Sequence, residues 1–245
     1  MKPHLEAGTS LMAATKGIEN ESLMMMSQVA KIVLPDEYMK RFACIGGPSF
    51  AKEVCKKHPT AVTIACSDLE HAERLQQVFN TEFFRVYISQ DLTGVQLGGA
   101  LKNVIAIGAG ISDGLGFGHN ARAALITRGL AEITRLAVAI GANPHTLAGL
   151  AGMGDLVLTC TGDMSRNRTV GLKIGKGMSL DEITGNMSMV AEGIKTARSA
   201  YELGKKMEVY MPICDQVYHI LYNDEDPKEA VKYLMSRELK VELEH

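Results

Sequence analysis

Over residues 1–90, short apolar runs alternate with longer stretches whose apolar side chains recur at three- and four-residue spacing. The runs are Leu11-Met12-Ala13-Ala14, Phe42-Ala43-Cys44-Ile45, Ala61-Val62-Thr63-Ile64-Ala65 and Phe84-Arg85-Val86-Tyr87-Ile88. Each has the length of a buried strand, and the stretches between them, near 22–34, 50–56 and 68–79, have the period of helices. This alternation predicts a mostly parallel sheet of four short strands with helices on its faces.

From Asp91 onward the strand patterns cease. Segments 91–110, 120–140, 168–176, 180–186, 191–207, 212–222 and 227–236 carry helical spacing, as at Leu125, Ile126, Leu130, Ile133, Leu136 and Ile140. Gly141-Ala142-Asn143-Pro144 and Asn223-Asp224-Glu225-Asp226-Pro227 supply turns between them. The expected class is α/β plus all-α: residues 1–90 form one unit and 91–242 an all-helical second domain. Leu243-Glu244-His245 reads as the remnant of a histidine tag. Met1-Lys2-Pro3-His4-Leu5 leads almost at once into an apolar run, as the middle of a domain would.

Composition narrows the picture. With 26 Lys and Arg against 28 Asp and Glu, the chain lacks the broad positive field of a nucleic-acid or anionic-membrane binder. The 5 cysteines are scattered with no Cys-x-x-Cys pair, which points away from a disulfide framework or zinc ribbon and toward a reducing cytoplasm. No run of about 18 apolar residues and no basic-then-apolar leader are present, so neither a membrane span nor a signal peptide is expected. His4, His58, His71, His119, His145 and His219 show no ligand spacing with each other or with cysteine, and no metal site is expected.

Five segments carry candidate chemistry. VIAIGAGISDG (104–114) imitates a strand entering a phosphate-binding loop, but Asp113 takes the third glycine's place and no acid-ended strand follows. A buried helix with glycines for close packing accounts for it better. Lys102, followed by Asn103, lies inside the same apolar stretch. It either snorkels to the surface or is held at a buried polar site where a lowered pKa suits it to proton transfer. In GDLVLTCTGDMSRNR (154–168), Asp155, Thr159, Ser165, Arg166, Asn167 and Arg168 cluster around a loop leading into a helix, which suits a phosphate or merely caps the helix. Ala14-Thr15-Lys16-Gly17 and Gly46-Gly47-Pro48-Ser49-Phe50-Ala51-Lys52-Glu53 follow the first two strands, where open parallel sheets place ligands or simply turn.

Taken in order, these segments resemble the NAD(P)-dependent glycerol-3-phosphate dehydrogenase family, in its bacterial branch. ATKG (14–17), GPSFAKE (47–53), GVQLGGALKNVIAIGAG (94–110), NARAALITRGLAE (120–132), GDLVLTC (154–160), SRNR (165–168) and VAEG (190–193) are all segments of that family's pattern. The resemblance implies an incomplete Rossmann-type parallel sheet followed by a helical domain like that of 6-phosphogluconate dehydrogenase. It also implies exchange of a proton and a hydride between NAD(P)H and a small phosphorylated three-carbon substrate in the cytoplasm, by a homodimer, for glycerophospholipid synthesis. Lys102 corresponds to the catalytic lysine. Lys16, Gly47, Ser49, Lys102, Asn103, Asp155, Thr159, Ser165, Arg166 and Asn167 correspond to substrate-binding positions. Lys16, Ala51, Arg166, Val190 and Glu192 correspond to cofactor-binding positions. The family's Gly-x-Gly-x-x-Gly loop, within a mononucleotide-binding half of roughly 80 to 100 residues, has no counterpart here, so weak or absent NAD(P)H binding and no activity are expected of residues 1–245 alone. A related hydroxy-acid dehydrogenase and a non-catalytic fragment serving as a dimerisation module are the alternatives.

Overall fold

The computed structural model of the chain describes residues 5–6, 8–185, 187, 191–239 and 241–242. All four apolar runs are strands: β1 (Leu11–Ala13), β2 (Phe42–Gly46), β3 (Thr60–Cys66) and β4 (Phe84–Ser89), lying side by side in chain order. β1 pairs with β2 and β3 with β4 in parallel, as the alternation predicts. The central pair, β2 with β3, is antiparallel, with Cys44 opposite Ala65 and Ile45 opposite Ile64. The difference arises in the connections. Between β1 and β2 the chain crosses back through α1 (Met26–Val33) and α2 (Asp36–Met39), and between β3 and β4 through α4 (Leu69–Phe79). Between β2 and β3 it makes only the five-residue α3 (Ala51–Cys55) and turns through Lys57 at φ 60°. A helix that short does not carry the chain back along the sheet, so β3 starts from the end where β2 stopped.

That reversal decides what shares an edge. The carboxyl ends of β1 and β2 lie together with the amino end of β3, so the loops 14–17 and 46–52 meet at one place. Gly47 shows how tightly: it has φ +132°, and a Cβ there would sit 3.0 Å from the Val62 Cα. Only glycine fits both the conformation and the space.

After β4 the described residues contain helices and no further strand. α5 (Leu92–Gly114) is the axis of this part, and Gly94 through Ser112 are buried without interruption. The side chain of Asp91 caps it by accepting from Gly94 N at 2.8 Å, and the other oxygen accepts from Asn143 N at 2.9 Å. Around α5 pack α6 (His119–Ala139), α7 (Pro144–Ala148), α8 (Asp155–Thr161), α9 (Arg166–Gly175), α11 (Glu192–Lys206) and α12 (Pro212–Tyr222), with α10 (Leu180–Gly185) and α13 (Pro227–Ser236) outside them. VIAIGAG lies in the middle of α5, so the helical reading of that segment holds.

The glycines set the spacing. A Cβ at Gly110 would sit 2.0 Å from the Arg168 carbonyl oxygen, and one at Gly171 would sit 2.0 Å from that of Ile107. α5 and α9 therefore touch backbone to backbone, closer than any side chain permits. At the start of α12, Pro212 has no N–H to satisfy, and Ile213 N and Cys214 N donate to the two oxygens of buried Glu132 on α6 at 2.8 and 3.1 Å. One large core surrounds α5, a smaller one lies within the sheet, and Cys44, Ala65, Val95 and Ala151 join the two. α5 is long and apolar enough to cross a membrane by length and composition, yet that stretch is wholly buried inside the protein.

Candidate active site

Lys102 sits in the middle of α5 with 6% of its surface exposed, so the snorkelling alternative fails. An ammonium there needs partners, because an unpaired buried charge is costly. It finds them on α8: Lys102 Nζ donates to Asp155 Oδ1 at 2.5 Å and to Thr159 Oγ1 at 2.9 Å. Thr159 Oγ1 in turn donates to the Asp155 carbonyl oxygen at 2.6 Å, one helical turn back. The other oxygen of Asp155 accepts from Lys16 Nζ at 2.7 Å. Lys16 comes from the loop after β1, and its aliphatic stem lies over Gly99, whose missing side chain leaves the room. Its Nζ also reaches the Gly47 carbonyl oxygen at 3.4 Å. Three segments separated by up to 139 residues thus converge on one carboxylate that is 1% exposed.

Local sequence explains why Asp155 points inward. The chain enters α8 through a π-helical turn, Leu150–Gly154, whose Gly152 lies so close to α7 that a Cβ would meet the Leu147 carbonyl oxygen at 2.1 Å. Gly98 of α5 is pressed in the same way against the Ala151 carbonyl, at 2.6 Å from a Cβ position. The π turn re-aims the helix start, as such turns do at functional sites. Sequence reasoning gathers 154–168 around a loop leading into a helix; the structure makes 155–161 a helix already, because the glycines before it serve packing here rather than turning.

Electrostatics follow from the geometry. Burial pulls the Lys102 ammonium down, Asp155 pulls it back up and Lys16 pushes it down again, and the balance lies at about 8. Such a group is protonated at neutral pH and able to release its proton near it.

The second part of the site is the start of α9. Ser165 caps it, its Oγ accepting from Arg168 N at 3.2 Å. Asn167 is buried and its Oδ1 accepts from Gly193 N at 2.9 Å, tying α9 to the first turn of α11. A Cβ at Gly193 would sit 2.8 Å from the Asn103 carbonyl oxygen, so the α9–α11 junction lies against α5 immediately beyond Lys102. Arg168 is fully engaged with Asp113 and Asp163. Arg166 is exposed and has no hydrogen-bond or ion-pair partner among the described residues. Gly47 is buried at the sheet edge, and Ser49 donates back to the Gly47 carbonyl oxygen, at 3.1 Å. Ala51 and Glu192 are exposed on the first turns of α3 and α11. Neither is drawn into the Lys102 cluster. Val190 lies outside the described residues.

The model of the NAD-dependent glycerol-3-phosphate dehydrogenase C-terminus matches residues 91–232, and that of the N-terminus matches residues 1–72. The chain belongs to this family. It is 58% identical over 243 residues to a glycerol-3-phosphate dehydrogenase [NAD(P)+] of Syntrophotalea carbinolica, covering 99% of this chain and 73% of that one. It is 59% identical over 242 residues to one of Geobacter metallireducens, covering 99% and 72%. The crystal structure of glycerol-3-phosphate dehydrogenase from Coxiella burnetii superposes with a TM-score of 0.90 at 41% identity, over 97% of this chain and 72% of that chain. Its relatives are NAD(P)-dependent oxidoreductases, and family membership accounts for the sheet followed by helices.

Sequence reasoning passes over Asp113, noticing it only as the residue that spoils a third glycine. The usable signal was an acid inside an apolar helix, which must be paired if buried.

Proposed function

We propose that Lys102, Asp155 and Lys16 form the proton-transfer centre for interconversion of dihydroxyacetone phosphate and sn-glycerol 3-phosphate with NAD(P)H. The supporting observation is the buried carboxylate of Asp155 held between two ammonium groups. When bound, the cofactor supplies the hydride, and the chain's task is to handle charge at the neighbouring oxygen. As hydride reaches the ketone carbon, negative charge develops on its oxygen. Lys102 Nζ donates a proton there, and the reverse reaction returns it. Asp155 and Thr159 orient Lys102, while Lys16 contributes a second cation and keeps the first from holding its proton too tightly.

Arg166 takes the phosphate. It is a forked cation free of internal partners, beside the capped start of α9. Gly47, Ser49, Asn103, Ser165 and Asn167 complete the substrate wall. For the cofactor, the exposed first turns of α3, α9 and α11 fit, through Ala51, Arg166 and Glu192, together with Lys16 and with Val190, which lies outside the described residues. Lys16 and Ala51 follow the carboxyl ends of β1 and β2, which is where open parallel sheets accept nucleotides. On this reading residues 1–90 belong to the dinucleotide-binding part and 91–242 form the substrate and catalytic part. Five free cysteines, four of them buried, agree with a cytoplasmic protein, and a homodimer is the proposed assembly. Lys102→Met in the full-length enzyme is expected to lower turnover by at least about a hundredfold with little change in substrate binding. Near-normal turnover would defeat the assignment.

A further inference from the structure

Behind the start of α9 lies a second ion cluster, built on one buried carboxylate, that takes no part in proton transfer. Asp113, near the end of α5, has a side chain that is 6% exposed and is shared by two arginines. Its Oδ1 accepts from Arg122 Nε at 2.8 Å and Nη2 at 2.6 Å, while its Oδ2 accepts from Arg168 Nε at 2.9 Å. Arg168 Nη2 lies 2.9 Å from the same oxygen, and its Nη1 donates to Asp163 Oδ1 at 2.9 Å. Three helices, α5, α6 and α9, are joined at this one carboxylate. The cluster adjoins the Lys102 centre: the thiol of Cys160, next to Thr159, is pushed up to about 12 by burial and feels Lys102, Arg168, Asp113 and Arg122 together.

We infer that Asp113 is a positioning residue for the phosphate anchor: by gripping Arg168 it fixes the start of α9 against α5 and so sets the reach of Arg166. Successive residues of a helix are about 100° apart, so Arg166 and Arg168 project on nearly opposite sides of α9. One is turned inward and spent on Asp113, and the other is left outward and free. The glycine contacts of Gly110 and Gly171 set how closely α5 and α9 approach, but apolar and backbone surfaces resist sliding only weakly. The Arg168–Asp113 ion pair resists it more strongly, because displacement would take from Asp113 Oδ2 the cation that holds it, while Arg122 grips only Oδ1. The inference rests on the reading of Arg166 as the phosphate ligand.

The test is steady-state kinetics of the full-length enzyme with NADH, comparing Asp113→Asn, Arg166→Ala and the double variant. Asp113→Asn is expected to raise KM for dihydroxyacetone phosphate about tenfold and to change kcat by less than about threefold. It should leave kcat/KM for unphosphorylated dihydroxyacetone unchanged, and it should add nothing to Arg166→Ala in the double variant. Asp113→Glu keeps the charge and should fall between wild type and Asp113→Asn, and it carries the test if the asparagine variant does not fold. A raised KM in Arg166→Ala with an unmoved one in Asp113→Asn would overturn the inference alone. So would losses that multiply in the double variant, or equal losses for both ketones. An unmoved KM in Arg166→Ala would instead remove the phosphate anchor, and the inference with it.

Discussion

Replacing Asp155 by Asn tests the centre of the site, because it removes one charge while keeping the shape. In the native arrangement Asp155 opposes the two effects, burial and Lys16, that lower the Lys102 pKa, and the balance leaves it at about 8. An opposite charge at hydrogen-bond distance moves a pKa by about 1 to 3 units. Without it the Lys102 value should fall to between about 5 and 7, and its protonated fraction at pH 7 from about nine-tenths to between about one-half and one-hundredth. Asp155→Asn should therefore move the alkaline limb of the kcat/KM profile for ketone reduction toward acid by at least about one pH unit. The assay is NADH oxidation in the full-length enzyme across pH 5 to 10 at subsaturating dihydroxyacetone phosphate. The limb position is decisive rather than the rate at one pH, because a stronger acid also donates more readily and offsets part of the loss. A limb that stays near pH 8 would refute the reasoning, since Lys102 would then owe nothing to Asp155.

Arg166→Lys keeps the charge but loses the fork, and should raise KM for dihydroxyacetone phosphate more than it lowers kcat; an unmoved KM places the phosphate elsewhere. Burial pushes the Glu132 carboxyl up to about 7 from an ordinary value of 4.5. The folded state therefore holds its proton more tightly than the unfolded state, so this stabilisation is present below about pH 4.5 and is lost as pH rises through 7, by about 3 kcal/mol in all. Glu132→Gln should flatten that part of a plot of melting temperature against pH, and a parallel plot counts against it. Gly171→Ala must push α9 off α5 and should cost about 3 kcal/mol or more in urea denaturation; a neutral result would mean that the two backbones do not touch.

The regular elements were legible wherever their period was unbroken. β1 to β4 and the helices α5, α6, α9, α11, α12 and α13 fall within a few residues of the apolar patterns. α7, the π turn and α8 were not, because Gly149, Gly152 and Gly154 interrupt the pattern that would reveal them. Their role, close backbone approach, becomes visible only against α5 and α7. The antiparallel β2–β3 pair escaped for a related reason: the periodicity marks a helix near 50–56 but not that it is too short to carry the chain back. In the site, Lys102 could be read as either snorkelling or held. What decided it was Asp155 and Thr159, 53 and 57 residues along the chain, a contact that sequence spacing does not encode. The family resemblance brought Lys102, Asp155 and Arg166 forward together, but it carried no trace of the Asp113 cluster behind them.

The close crossing of α5 and α9 bears on which substrates can fit. Lys102 rides on one of these helices and Arg166 on the other, and glycine contacts leave no compressible side-chain layer between them. On the proposed roles of Lys102 and Arg166, main-chain geometry therefore fixes where the two side chains leave their helices, while the exposed Arg166 side chain supplies the remaining reach to a phosphate. Substitutions at the glycine crossing, or at the ion pair that pins it, would shift that starting interval, whereas changes in surface side chains would not.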